Sequence, residues 1–169
     1  MDYFSLFQIP QKFHINKNLL EKKFYSLQKK YHPDIYKKKN HNKNDYPISS
    51  SKINKAYNIL KDKFNRAKYL LKIYNGNKIK KKKILTQDSL NKQFKLYEII
   101  EKFKKKKEDI KNIDIFIKKI KNKIRYYFFK INQEFKLKKI CEAQETLYNL
   151  FFKKKILLIL KEIKDDYVK

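Results

Sequence analysis

Apolar residues recur along the chain at helical spacing, in segments separated by polar stretches. Asp2 to Phe7 is a short apolar turn that closes near Pro10, after which Leu20, Phe24, Leu27 and Tyr31 mark one face of an amphipathic helix with Asn16 placed as its N-cap. Pro33 lacks a backbone donor and biases His32 away from the α region, so the pattern predicts a stop near Tyr31. Tyr36 to Ser51 is rich in Lys, Asn, His and Ser, contains Pro47 and has no apolar period, which predicts a loop. Ser49 to Ser51 then offer caps for a helix whose buried face is Ile53, Ala56, Tyr57 and Leu60, expected to pack antiparallel on the first. Lys61 to Tyr74 carries Ala67, Leu70 and Leu71 and ends at Asn75-Gly76-Asn77, where glycine can adopt the left-handed conformation that closes helices.

Lys78 to Lys83 is almost entirely lysine and reads as a solvated linker. Three more helical patterns follow, roughly Asp88 to Lys107, Ile113 to Leu137 and Lys139 to Lys164, and their short polar joints predict an antiparallel bundle. In the first of them Leu96, Ile99, Ile100 and Phe103 form a complete core-facing stripe, while Leu90, Phe94 and Tyr97 form a second stripe on another face. That second stripe is more apolar surface than a three-helix bundle needs, which makes it either a partner site or a packing surface for the linker or the N-terminal half. The expected organisation is all-α, with an N-terminal domain over 1-76, a linker over 77-87 and a three-helix bundle over 88-169.

Composition supports this reading and removes several alternatives. The 169 residues are 41% hydrophobic, enough for a core, and one Gly with three Pro leaves too few turns for a sandwich or barrel. The formal net charge of +28 would ordinarily point to nucleic acid or an anionic membrane. Yet Arg66 and Arg125 are the sole arginines among 45 basic residues, and base-edge and bidentate phosphate recognition favours arginine. The abundance of Lys, Asn, Ile, Tyr and Phe is the signature of codons drifting towards A and T. Neither a nucleic-acid nor a membrane partner is therefore expected. Cys141 is the lone cysteine, so no intramolecular disulfide and no cysteine-based zinc cluster can form, and a reducing cytoplasm fits. Met1-Asp2-Tyr3-Phe4 lacks the features of a secretion signal, and the apolar run Ile156 to Leu160 is far shorter than the ~20 residues a membrane span requires.

The His32-Pro33-Asp34 tripeptide sits where the first amphipathic helix ends and the polar loop begins. Proline would fix the backbone there and present an exposed carboxylate at a rigid corner, an arrangement suited to pairing with a partner's cation rather than to catalysis. Lys22, Lys23, Lys29 and Lys30 along the preceding helix could steer that corner to an acidic groove. Combined with Tyr31, with Ile53-Asn54-Lys55-Ala56-Tyr57-Asn58-Ile59-Leu60 and with Arg66-Ala67-Lys68-Tyr69-Leu70-Leu71, the tripeptide resembles a J domain. The opening Met1-Asp2-Tyr3-Phe4-Ser5-Leu6-Phe7, and Arg66 to Leu71 followed by Gly76, look like co-chaperones of the HscB type in their bacterial form, without the N-terminal CxxC pairs often found in eukaryotic relatives.

That resemblance implies stimulation of an HscA- or DnaK-type ATPase chaperone through His32, Pro33 and Asp34, with Lys23 and Lys29 contributing. It also implies that the bundle holds an IscU-type iron–sulfur scaffold through Leu90, Phe94 and Glu98, with Phe152 opposite. Asn91 and Lys95 depart from the methionine and the acid usual in relatives. No cofactor and no bound metal is implied, and no enzyme activity. His14, His32 and His41 lack metal-ligand spacing with Cys141 or an acid pair, and a single glycine cannot build a phosphate-binding loop. The rival readings are a general protein-folding J protein, disfavoured by the missing Gly/Phe-rich and zinc regions, and a basic nucleic-acid-binding helical protein. The latter needs aromatics exposed among cations, whereas most of the thirteen Tyr and thirteen Phe fall on core stripes.

Overall fold

A computed structural model of the protein describes residues 2–32, 49–76, 87–105 and 110–168. All regular structure among them is α-helical, in two compact units that divide between Tyr74 and Asn75. The lysine-rich run Lys78 to Lys83 lies outside the described residues.

The first unit begins with α1 (Tyr3–Leu6), capped by the Asp2 carboxylate, which accepts from the backbone N–H groups of Phe4 and Ser5. Next comes α2 (Lys17–Lys30), whose N-cap is Asn16 as the sequence predicts. Then α3 (Ser50–Lys61) is capped by the Ser49 hydroxyl. The predicted Lys61 to Tyr74 segment starts later: α3 ends at Lys61, and Asp62 interrupts the helix and caps α4 (Lys63–Asn75) by accepting from the Asn65 N–H at 2.7 Å. Gly76 closes α4 with φ +56°, the left-handed conformation that the glycine supplies cheaply.

Three pairs fix α2 against α3. Ser50 donates to the Tyr31 carbonyl at 3.2 Å, Gln28 donates to Asn54 at 2.8 Å, and the Phe24 and Tyr57 rings stack with centroids 4.0 Å apart. Residue numbers rise on one helix as they fall on the other, so the hairpin is antiparallel. Leu20, Ile53, Ala56 and Leu60 are buried along it, joined by Phe4 and Phe7 from the N-terminal turn and by Ala67 and Leu70 of α4. Tyr3 lies flat on Tyr69, with centroids 4.4 Å apart, and its backbone N–H donates to the Tyr69 hydroxyl.

The second unit holds α5 (Gln87–Lys105), α6 (Ile110–Lys136) and α7 (Ile140–Val168). Helix α6 begins three residues before the predicted Ile113, and α7 continues to Val168, a turn past the predicted Lys164. Leu137 and Lys138 make the joint between α6 and α7, Lys138 with φ +56°. Helices α6 and α7 run antiparallel: the Thr146 hydroxyl donates to Glu134 at 2.9 Å near the joint, and Lys164 meets Asp114 at 2.6 Å towards the far end. The bundle core gathers Ile100 of α5, Ile113, Ile117 and Ile120 of α6, and Phe152, Ile156, Leu160 and Ile163 of α7. Leu96 and Phe103 of the predicted core stripe pack against it.

Candidate functional site

The first candidate surface is the end of α2. His32 is exposed directly beyond that helix, and the Ser50 bond to the Tyr31 carbonyl ties its predecessor to the first turn of α3. The corner's root is thus held from two helices. Pro33 and Asp34 lie outside the described residues. Lys29 is exposed, as a steering cation would be. Lys23 is half-buried and donates to the Gln8 side chain at 2.9 Å, which links α2 to the N-terminal turn. Its role within the unit is therefore structural as well, a contact that sequence spacing could not reveal.

The second candidate surface lies on α5. Phe94 is 65% exposed and Tyr97 37%, Leu90 is half-buried, and Glu98 is exposed. The second stripe is therefore an open apolar face with a carboxylate one helical turn beyond Phe94, and Asn91 and Lys95 beside it are exposed too. Phe152 departs from the expected arrangement. It is 8% exposed, belongs to the bundle core and meets Tyr97 edge-on with centroids 5.6 Å apart. It supports the face from beneath instead of standing open opposite it, because its position on α7 faces inward with Ile156 and Leu160. Tyr97, absent from the expected contact set although present in the stripe, is the aromatic that carries Phe152's packing to the surface.

Neither surface brings together converging catalytic groups, and among the described residues no three His, Cys, Asp or Glu side chains are placed to hold a metal ion. No described helix is long and apolar enough to cross a membrane.

Comparison with known proteins gives matches that span both units of the chain. The DnaJ domain family matches residues 2–69. The co-chaperone protein HscB of Buchnera aphidicola subsp. Acyrthosiphon pisum (strain Tuc7) is 36% identical over 175 residues, spanning 100% of this chain and 98% of the relative. Among solved structures, the chaperone HscB from Vibrio cholerae superposes with a TM-score of 0.77 at 26% identity, covering 99% of both chains. Human co-chaperone protein HscB shares the fold with a TM-score of 0.75 at 21% identity, covering 96% of this chain and 81% of that one. With a J-domain match at its N-terminus and a full-length relative, the chain belongs to the HscB family of J-domain co-chaperones.

Proposed function

We propose that this co-chaperone, acting in iron–sulfur cluster assembly, stimulates the ATPase of an HscA/DnaK-type chaperone and delivers an IscU-type scaffold to it. The observation that carries the delivery half is the open apolar face of α5, where Phe94 stands 65% exposed on a helix whose opposite stripe is already committed to the core. An aromatic left in water next to Leu90 and Glu98 suits a partner that offers an apolar pocket and a cation. The stimulation half rests on the J-domain match and on the Ser50 bond that anchors Tyr31, the residue before His32. In this reading Asp34 pairs with a chaperone arginine, Pro33 fixes the corner, His32 completes the contact, and Lys23 and Lys29 add positive potential. The chaperone supplies the hydrolysis, so the protein itself makes and breaks no bonds, and a reducing cytoplasm suits its single cysteine.

The test is the ATPase rate of the cognate chaperone with this protein, with and without scaffold, for the wild type and Asp34→Asn. Synergistic stimulation that disappears in Asp34→Asn, with scaffold binding intact, is expected. Wild-type protein that leaves the rate unchanged would overturn the chaperone half, and equal scaffold affinity of Phe94→Ala and wild type would overturn the delivery half.

A further inference from the structure

The side of α6 that faces away from the bundle carries an apolar ridge that neither proposed contact uses. Ile115, Tyr126 and Phe129 on the helix, and Leu137 in the turn that follows, are 50%, 50%, 62% and 64% exposed. At about 100° per residue they project within roughly 40° of a single line, which the polar Asn122 and Gln133 interrupt, opposite the buried Ile113, Ile117, Ile120 and Ile131. Cations flank the ridge on both sides and are all exposed: Lys118, Arg125 and Lys136 along one edge, Lys119, Lys123 and Lys130 along the other. Of the two acidic residues of α6, only Glu134 offsets one of these cations, Lys130. Asp114 is paired with Lys164 of α7, and Glu134 is buried against Thr146 with Lys130 at 3.5 Å. The chain's one exposed arginine lies on this face, since Arg66 is buried.

We infer that this face of α6 is a docking surface for an anionic lipid surface, with Ile115, Tyr126, Phe129 and Leu137 entering the headgroup boundary and the flanking lysines and Arg125 meeting lipid phosphates. An apolar line bordered by lysines whose stems can extend to a charged plane is how a helix lies on a bilayer without crossing it. The lack of a spanning segment does not bear on this surface, because a surface-lying helix does not require one, and the lysine-rich composition that argues against a membrane partner says nothing of where the lysines are placed.

Other occupants fit less well. A single-stranded nucleic acid would need open ring faces for stacking, but Ile115 and Leu137 offer none, and the Lys123 ammonium already lies over the Tyr126 ring at 4.8 Å and the Tyr127 ring at 5.5 Å. A second copy would bring two chains of net charge +28 together. A peptide helix docks in a groove, whereas this ridge runs along one convex helix.

The chain has no tryptophan, so Phe129→Trp introduces a sole reporter at the ridge, and Leu158→Trp, at an exposed position of α7, provides the comparison. With vesicles of mixed phosphatidylglycerol and phosphatidylcholine, the ridge tryptophan should shift its emission to the blue while the α7 one stays in water. Pure phosphatidylcholine vesicles should produce neither shift. Tyr126→Ser with Phe129→Ser should weaken co-sedimentation with the anionic vesicles by about tenfold at unchanged helix content and melting temperature. The inference is overturned by wild-type protein that does not sediment, by a double variant that sediments as well as wild type, by a shift at Leu158→Trp instead of Phe129→Trp, or by tighter binding to a single-stranded oligonucleotide that depends on the same two aromatics.

Discussion

The Tyr97 ring meets the Phe152 ring edge-on, 72° from coplanar, and this pair joins the bundle core to the open face of α5. Phe152 is buried among Ile100, Ile113 and Ile156, whereas Phe94 stands in water one turn from Tyr97. The two phenylalanines should therefore respond differently to truncation. Phe152→Ala leaves a cavity and should cost roughly 3–5 kcal/mol of stability in urea unfolding, with weaker scaffold binding as a consequence. Phe94→Ala should change stability by less than about 0.5 kcal/mol and, if it anchors the scaffold, lose roughly 2–4 kcal/mol of binding in a calorimetric titration. A Phe152→Ala protein as stable as wild type would contradict the buried placement.

Arg66 is a buried cation serving backbone. It is 3% exposed, its Nε donates to the Phe13 carbonyl at 2.7 Å, its Nη1 donates to the Leu60 carbonyl, and its guanidinium lies over the Phe13 ring at 5.4 Å. Burial pushes its pKa down to about 10, with Asp62 partly countering that, so it remains charged at neutral pH. Arg66→Met keeps much of the volume but strands both carbonyls and should destabilise the N-terminal unit by roughly 2–4 kcal/mol, read as a lower urea midpoint with little change in m-value. Arg66→Lys should recover only part of that, because a point ammonium cannot reach both acceptors in the fork geometry.

The helices were legible because α2 and α3 carry single, clean apolar stripes with recognisable caps at Asn16 and Ser49, and α5 carries two stripes at helical spacing. The Asp62 break was missed because the residues around it continue the helical period, and its signal, an aspartate three residues before an accessible N–H, is short and common. The exposed stripe of α5 could be read from surplus apolar faces alone. Phe152 could not, since α7 distributes apolar and charged residues over all its sides, so periodicity does not say which side meets α5. The α6 ridge was hidden for a related reason: its four apolar positions are spread over six helical turns among lysines that the overall composition makes unremarkable, and the fold is needed to show that Asp114 is taken up by Lys164 of α7.

Asp2 gives the N-terminal turn a pH dependence. Burial tends to raise its carboxyl pKa, but the Ser5 N–H and hydroxyl and the Phe4 N–H outweigh this and hold it below the ordinary 3.8. A carboxylate depressed on folding stabilises the fold above its unfolded value, and that stabilisation is lost as pH falls through the folded value. Asp2→Ala should therefore cost about 1 kcal/mol at neutral pH through loss of the cap, and the gap from wild type should narrow below about pH 4 in thermal melts.

Lys153 destabilises the fold where Asp2 stabilises it. It is half-buried on α7 with its ammonium 5.6 Å from the Phe152 ring centroid, and burial first and the neighbouring Lys123 second push its pKa down to about 8 from 10.5. The unfolded chain consequently binds more protons than the folded one between those values, so this lysine's destabilising effect is fully present below about pH 8 and is relieved as pH rises towards 10.5. Lys153→Met should raise stability at pH 7 by about 1 kcal/mol after allowance for solvent screening, a few degrees in melting temperature, and the advantage should shrink steadily between pH 8 and pH 10.5. A difference between variant and wild type that stays constant across that range would assign the effect to packing against Phe152 rather than to the charge.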